Sequence, residues 1–255
     1  MGSEASLASE PAVEIRSGVF RPDWSAVASA AARQALLGRI TARAGLLDRW
    51  SYRLEAVEDL IWRTILRLYG ERGHPPEFGD LAVEIGITLD RVAILLHKLR
   101  SHDLIDLDQA CEHIRLAYPF TESATGHRVE LNGHAFHALC AIDALGVADM
   151  YGADITISSP CHDCGENIHV KTTAVGQALQ SVSPASTVIW YDFAYDGCAA
   201  VSCCPAIVFF CANEHLQQWL NAQTPRRDGV RLTVDEALEV GRAIFRPVFV
   251  EQRNA

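Results

Sequence analysis

The chain has 255 residues, 49% hydrophobic and 21% charged, an ordinary globular composition with material for one large domain or two modest ones. Its formal net charge of -10 and pI near 5.4 argue against a protein whose main task is gripping nucleic acid or an anionic membrane, since both demand a basic surface. No apolar run approaches the roughly 18 residues that span a bilayer, and the acidic start MGSEASLASEPAVEIRSG lacks the pattern of a secretion signal, so a cytoplasmic protein is expected.

Residues 1 to about 20 lack periodicity and are expected to be mobile; Pro22 and Asp23 then introduce an Ala-rich, helix-forming stretch from Trp24 to Trp50. Residues 1–50 thus form a partly helical N-terminal extension. From 51 to 120 the pattern sharpens. Val57, Leu60, Ile61, Ile65 and Leu68 mark one helix, ended by Gly70, Gly73, Pro75 and Pro76, and Phe78, Leu81, Ala82 and Ile85 mark a second. Gly86 makes a turn, Thr88 or Asp90 can cap, and Val92, Leu95, Leu96 and Leu99 place a third helix. A strand pair follows, 104–107 and 114–120. Three helices and a two-stranded wing outline a winged-helix-like domain over 51–120, which raises a DNA-binding reading. Its charge opposes that: eight Arg or Lys stand against twelve Asp or Glu, and only the third helix, with Arg91, Lys98 and Arg100, is locally basic. A structural or lid role fits better.

After a Ser, Thr and Gly-containing link, residues 121–255 read as a mixed or antiparallel β-sheet domain with flanking helices, which makes the whole chain α+β. A strand is expected at 127–131, a turn at Asn132-Gly133, and a helix over 134–151. Short strands follow at 154–158, 167–173, 187–191 and 206–210. A last helix starts with a capping box, Thr233 to Glu236.

Eight cysteines are many for a chain of this kind. A reducing compartment makes disulfides an unlikely purpose, so thiol chemistry or soft-metal binding becomes the leading explanation, against the plainer reading that several are small buried hydrophobes. Three groups stand out. Cys140 and Asp143, three apart on the expected helix, would share a face with Cβ atoms roughly 5 to 6 Å apart. Cys203-Cys204-Pro205 opens the late apolar strand, where adjacent cysteines would point to opposite sides. Cys161-His162-Asp163-Cys164-Gly165 is a CxxCG turn between strands, half of a tetrahedral zinc site. No second CxxC exists, and Cys198 with Cys203, or Cys204 with His215, would complete the Cys161/Cys164 site only by an unusual arrangement. A thioredoxin-like motif fits less well, because a strand rather than a helix follows.

The strings HALCAIDAL (137–145), ITISSPC (155–161), CCPAIVFF (203–210) and VRLTVDEALEVGRAIF (230–245) resemble the organomercurial (alkylmercury) lyase family in order and spacing. The resemblance covers about residues 51–245, winged-helix-like unit included. It implies cleavage of carbon–mercury bonds by two cysteines and one acid, Cys140, Cys204 and Asp143, which would also hold the Hg(II) product. Counting back five residues from Phe209 selects Cys204, whereas aligning on the cysteine pair selects Cys203. Cys161 stands where the family often has a further, structural cysteine. The family implies no organic cofactor, and it implies low-molecular-weight thiols and a mercuric reductase as acceptors of Hg(II). Two other classes stay open: a metal-sensing winged-helix transcription regulator and a non-catalytic mercury-binding protein.

Overall fold

The computed structural model describes residues 22–42 and 54–249; the expectations for residues 1–20 and 43–50 fall outside them. The N-terminal stretch forms a short 3-10 turn, Trp24–Ala26, and helix α1, Ala30–Ala42. Ser29 accepts a hydrogen bond from Ala32 N at 3.1 Å and starts that helix. Helices α2 (Ala56–Arg72), α3 (Phe78–Ile85) and α4 (Leu89–Ser101) follow as the periodicity predicts. Thr88 caps α4 by accepting from Arg91 N, and Val92, Leu95, Leu96 and Leu99 are all buried. Leu60, assigned to the core face of α2 by its spacing, is instead about half exposed, at 49%. Lys98 reaches back to the buried carboxylate of Glu58 at 2.7 Å, and Arg100 pairs with Asp106 at 2.9 Å.

Strands β1 (Ile105–Leu107), β2 (Ile114–Ala117), β3 (Phe120–Thr121), β4 (His127–Leu131), β5 (His134–Ala138), β6 (Thr156–Pro160), β7 (Asn167–Thr173) and β8 (Ala178–Ser183) make one sheet. Its order is β1-β2-β3-β5-β4-β6-β7-β8, and every pairing is antiparallel. The β1–β2 pair is therefore continuous with the sheet of the second half, through β3. A smaller antiparallel sheet has the order β10-β9-β11, from β9 (Val188–Asp192), β10 (Val208–Phe210) and β11 (Gly229–Thr233).

One expectation fails in an instructive way. The segment 134–151 is not a single helix: His134–Ala138 pairs with β4 across the Asn132-Gly133 turn, and helix α5 covers only Ala141–Tyr151. The alternation of burial along His134, Phe136 and Ala138 is a strand period, masked in the sequence by the Ala and Leu that follow. Helix α5 is buried from Ala141 through Met150, all around its axis, as expected of a central helix. It crosses helix α7 (Val234–Phe245) at Gly146 and Gly241, where a Cβ on Gly241 would lie 2.9 Å from the Gly146 nitrogen. Helix α6 (Asn213–Asn221) follows β10. Thr233 and Glu236 form the expected capping box of α7, with bonds of 3.2 and 2.8 Å. Glu239 of α7 accepts from the backbone of Ala28 and Ser29, at 3.0 and 2.8 Å, and so fixes the approach of α1. No described helix is long and apolar enough to cross a membrane.

Candidate active site

Two side chains of the expected trio come from the start of α5. Cys140 is not inside the helix but is its N-cap, with extended backbone, and its Sγ accepts from Asp143 N at 3.3 Å. A sulfur thus does the capping usually done by a side-chain oxygen. Asp143 stands in the first turn, where the positive end of the helix dipole favours a carboxylate. Its neighbourhood to Cys140 therefore comes from capping geometry rather than from a shared helix face.

The second thiol comes from the loop between β9 and β10. Here too the strand expectation needs correction: Cys204–Ala206 is a short 3-10 turn with Pro205 in its first positions, and β10 begins only at Val208. Pro205 brings a fixed φ and no N–H, which suits the start of such a turn and not a paired strand. The turn gives the two cysteines different partners. Cys204 Sγ lies 3.9 Å from Asp143 Oδ2, whereas Cys203 Sγ is directed at Ala199 O, 3.6 Å away. The ligand atoms of Cys140, Asp143 and Cys204 all lie within 4.8 Å of one another, and all three residues are buried.

The frame is held from three directions. Ala141 N donates to Ile207 O at 2.9 Å, which ties the first turn of α5 to the end of the cysteine loop. Cys204 N donates to Ala199 O at 3.0 Å. Ala199 N in turn donates to the buried carboxylate of Asp103, at 2.9 Å, from the corner between α4 and β1. Nothing in the sequence around Asp103 distinguishes it from a surface acid; only the fold brings it 96 residues along the chain to this loop.

The trio opens on a small cavity of about 40 Å³, also lined by Cys203, Arg39, Tyr118, Tyr191, Ile142 and Phe245. Space on this scale admits a few atoms. The Tyr118 hydroxyl is buried and has no hydrogen-bond partner among the described residues. Burial, above all, holds that phenol well above the ordinary tyrosine range. Burial, the largest influence, also pushes the Cys140 thiol up to about 11, with the nearby Asp143 charge adding to it. Cys204 is raised well above the thiol range too, first by its hydrogen bond with Cys140, then by Cys203 and by burial. The resting site accordingly holds two protonated thiols beside the Asp143 side chain.

A second group of ligand atoms lies elsewhere. Cys161, Cys164, Cys211 and His215 place their ligand atoms within 4.8 Å of one another. The CxxCG turn does find a second pair, but it is Cys211 with His215, not Cys198 with Cys203 or Cys204 with His215. The missed signal is the spacing Cys211-Ala-Asn-Glu-His215, a Cys/His pair four residues apart that bridges the end of β10 and the first turn of α6.

The family profile described as alkylmercury lyase matches residues 120–246. An alkylmercury lyase of Staphylococcus epidermidis is 32% identical over 191 residues, 74% of this chain and 83% of the relative. One of Bacillus cereus is 28% identical over 199 residues, 77% of this chain and 86% of the relative. Among solved structures, the mercury-bound form of MerB2 superposes with a TM-score of 0.68 at 25% identity, covering 83% of this chain and 99% of that one. With two thiols and a carboxylate buried together on an α+β frame of this kind, the chain belongs to the alkylmercury lyase family.

Proposed function

We propose that this enzyme cleaves carbon–mercury bonds by protonolysis, with Cys140 and Cys204 binding the metal and Asp143 moving the proton. The observation that carries the reading is the mutual approach of those three groups in a buried cavity. Mercury is a soft metal that prefers thiolate, and a thiol that coordinates such a metal gives up its proton even where burial otherwise keeps it neutral. The carboxylate 3.9 Å from Cys204 Sγ is placed to accept a proton displaced in this way. As the second thiolate binds, the carbon–mercury bond breaks with its electron pair on carbon, and the proton held by Asp143 goes to that carbon. In sum, R–Hg⁺ and two thiols give R–H, a bis-thiolate Hg(II) complex and one free proton. Low-molecular-weight thiols and then a mercuric reductase would take the metal away. No step needs an organic cofactor.

The α2–α4 helices with the β1–β2 pair serve, in this reading, as a winged-helix-like clamp rather than a DNA reader. Asp103 and Tyr118 from that unit support it by reaching the cysteine loop and the cavity. Two of the three bases on α4 are engaged with acids of the same unit, which weakens the regulator alternative.

The test is release of benzene from phenylmercury by reduced protein in excess thiol, with intact cysteines verified. Asp143→Ala should retain mercury binding while hydrocarbon release falls about 100-fold or more. Unimpaired release would remove the proton role from Asp143, and no benzene from the unaltered chain would leave only the mercury-binding alternative.

A further inference from the structure

We propose that Cys161, Cys164, Cys211 and His215 form a structural zinc site, separate from the mercury-binding trio. The four ligand atoms are mutually within 4.8 Å, with Cys164 Sγ 3.6 Å from Cys211 Sγ and Cys161 Sγ 3.7 Å from His215 Nδ1. A tetrahedral zinc with bonds of about 2.3 Å to sulfur and 2.0 to 2.1 Å to nitrogen sets sulfur–sulfur and sulfur–nitrogen edges of about 3.8 and 3.6 Å. Those two observed edges agree. A third edge of the six, Cys211 Sγ to His215 Nδ1, is shorter at 2.9 Å and would open by about 0.7 Å around an ion.

The backbone at the first pair is shaped as a metal knuckle. Gly165 N donates to Cys161 O at 2.9 Å, and Gly165 has φ +78°, which a residue with a Cβ adopts only with strain. His162, inside the motif, takes no part. Its ring packs edge-on against Phe210 and Trp219 at 5.8 and 5.4 Å. Three sulfurs and one imidazole gathered this closely are a donor set that selects zinc over hard cations.

An ion there has a structural purpose that the fold makes visible. Cys161 and Cys164 lie in the turn between β6 and β7 of the large sheet, whereas Cys211 and His215 lie where β10 of the small sheet passes into α6. A backbone hydrogen bond, His162 N to Phe209 O at 2.9 Å, joins the two segments. Zinc would add four bonds at that seam and brace β10, the strand that leads back to Cys204.

The decisive measurement is the metal content of the full chain, purified under reducing conditions from cells given zinc and no mercury. About one zinc per chain is expected. Cys211→Ser and His215→Ala should bring it below about a tenth, while Cys140→Ser and Cys204→Ser should leave it unchanged. Should the Cys211 variant fail to fold, cobalt exchanged into the unaltered chain provides the second readout, with thiolate-to-cobalt charge-transfer bands and the spectrum of a tetrahedral ion. Absence of zinc together with absence of those bands, with all thiols reduced, would overturn the site. So would loss of the metal in the Cys140 or Cys204 variants instead of the Cys211 variant, or a Cys164–Cys211 disulfide in the purified protein.

Discussion

A cysteine's role here depends on which way one turn points it. Cys203 and Cys204 are chemically identical, adjacent and both buried, yet only Cys204 faces Asp143. Cys204→Ser should therefore abolish benzene release, and Cys203→Ser should leave it within a few-fold of the unaltered chain; the reverse result would show that the turn presents the other sulfur during the reaction. The spacing expected Cys140 and Asp143 to be neighbours on a helix face, and they are neighbours for a different local reason. Cys140 and Asp143 are neighbours because one caps the helix that the other begins, and their i, i+3 spacing in sequence is shared by a helix face and by a cap. Asp103, Tyr118 and Arg39 could not be read from spacing at all, since each reaches the site from an element distant in the chain.

At the scale of elements, the helices that declare themselves in the sequence are those with strong ends. Thr88, Thr233 and Glu236 mark starts where the structure has them. Thr233→Ala should remove the side-chain bond to Glu236 N and lower stability by about 1 kcal/mol, read from urea unfolding. A loss well below half of that would mean the β11–α7 junction is held by packing and not by its cap. Weak ends mislead: the passage from β5 into α5 carries no Gly or Pro, and a cysteine is an unusual cap, so 134–151 resembles one helix until pairing with β4 is known. The 3-10 turn at Cys204–Ala206 is the opposite case, since Pro205 announces it.

At the scale of the molecule, the large and small sheets meet at β4, β6 and β10, and one buried titratable group sits in that contact. His127 of β4 bonds Ser159 Oγ at 2.9 Å through Nδ1, and its ring packs 5.7 Å from that of Phe209. Burial, with a smaller contribution from His162, lowers its pKa from 6.5 to about 4. The unfolded chain then binds this proton more tightly than the folded one. The stability tied to a neutral His127 is complete above pH 6.5 and is lost as pH falls through 4, to a total of about 3 kcal/mol. Unfolding midpoints measured between pH 7 and pH 4 should decline more steeply for the unaltered chain than for His127→Gln. Equal slopes would place the acid sensitivity in other groups.

By itself the sequence determined what rests on composition and on local order along the chain. These are the α+β class, the helices α2 to α4 with their buried stripe, the capping box of α7, and the four strings that resemble the alkylmercury lyases. Tertiary structure decided what depends on segments far apart meeting. It directed Cys204 rather than Cys203 at Asp143, brought Asp103 to the cysteine loop, and joined Cys211 and His215 to the CxxCG turn. The physical reason is common to all three. A ligand set or a proton relay requires atoms within a few ångströms, and periodicity along the chain cannot say which turn at the end of which strand supplies the last of them.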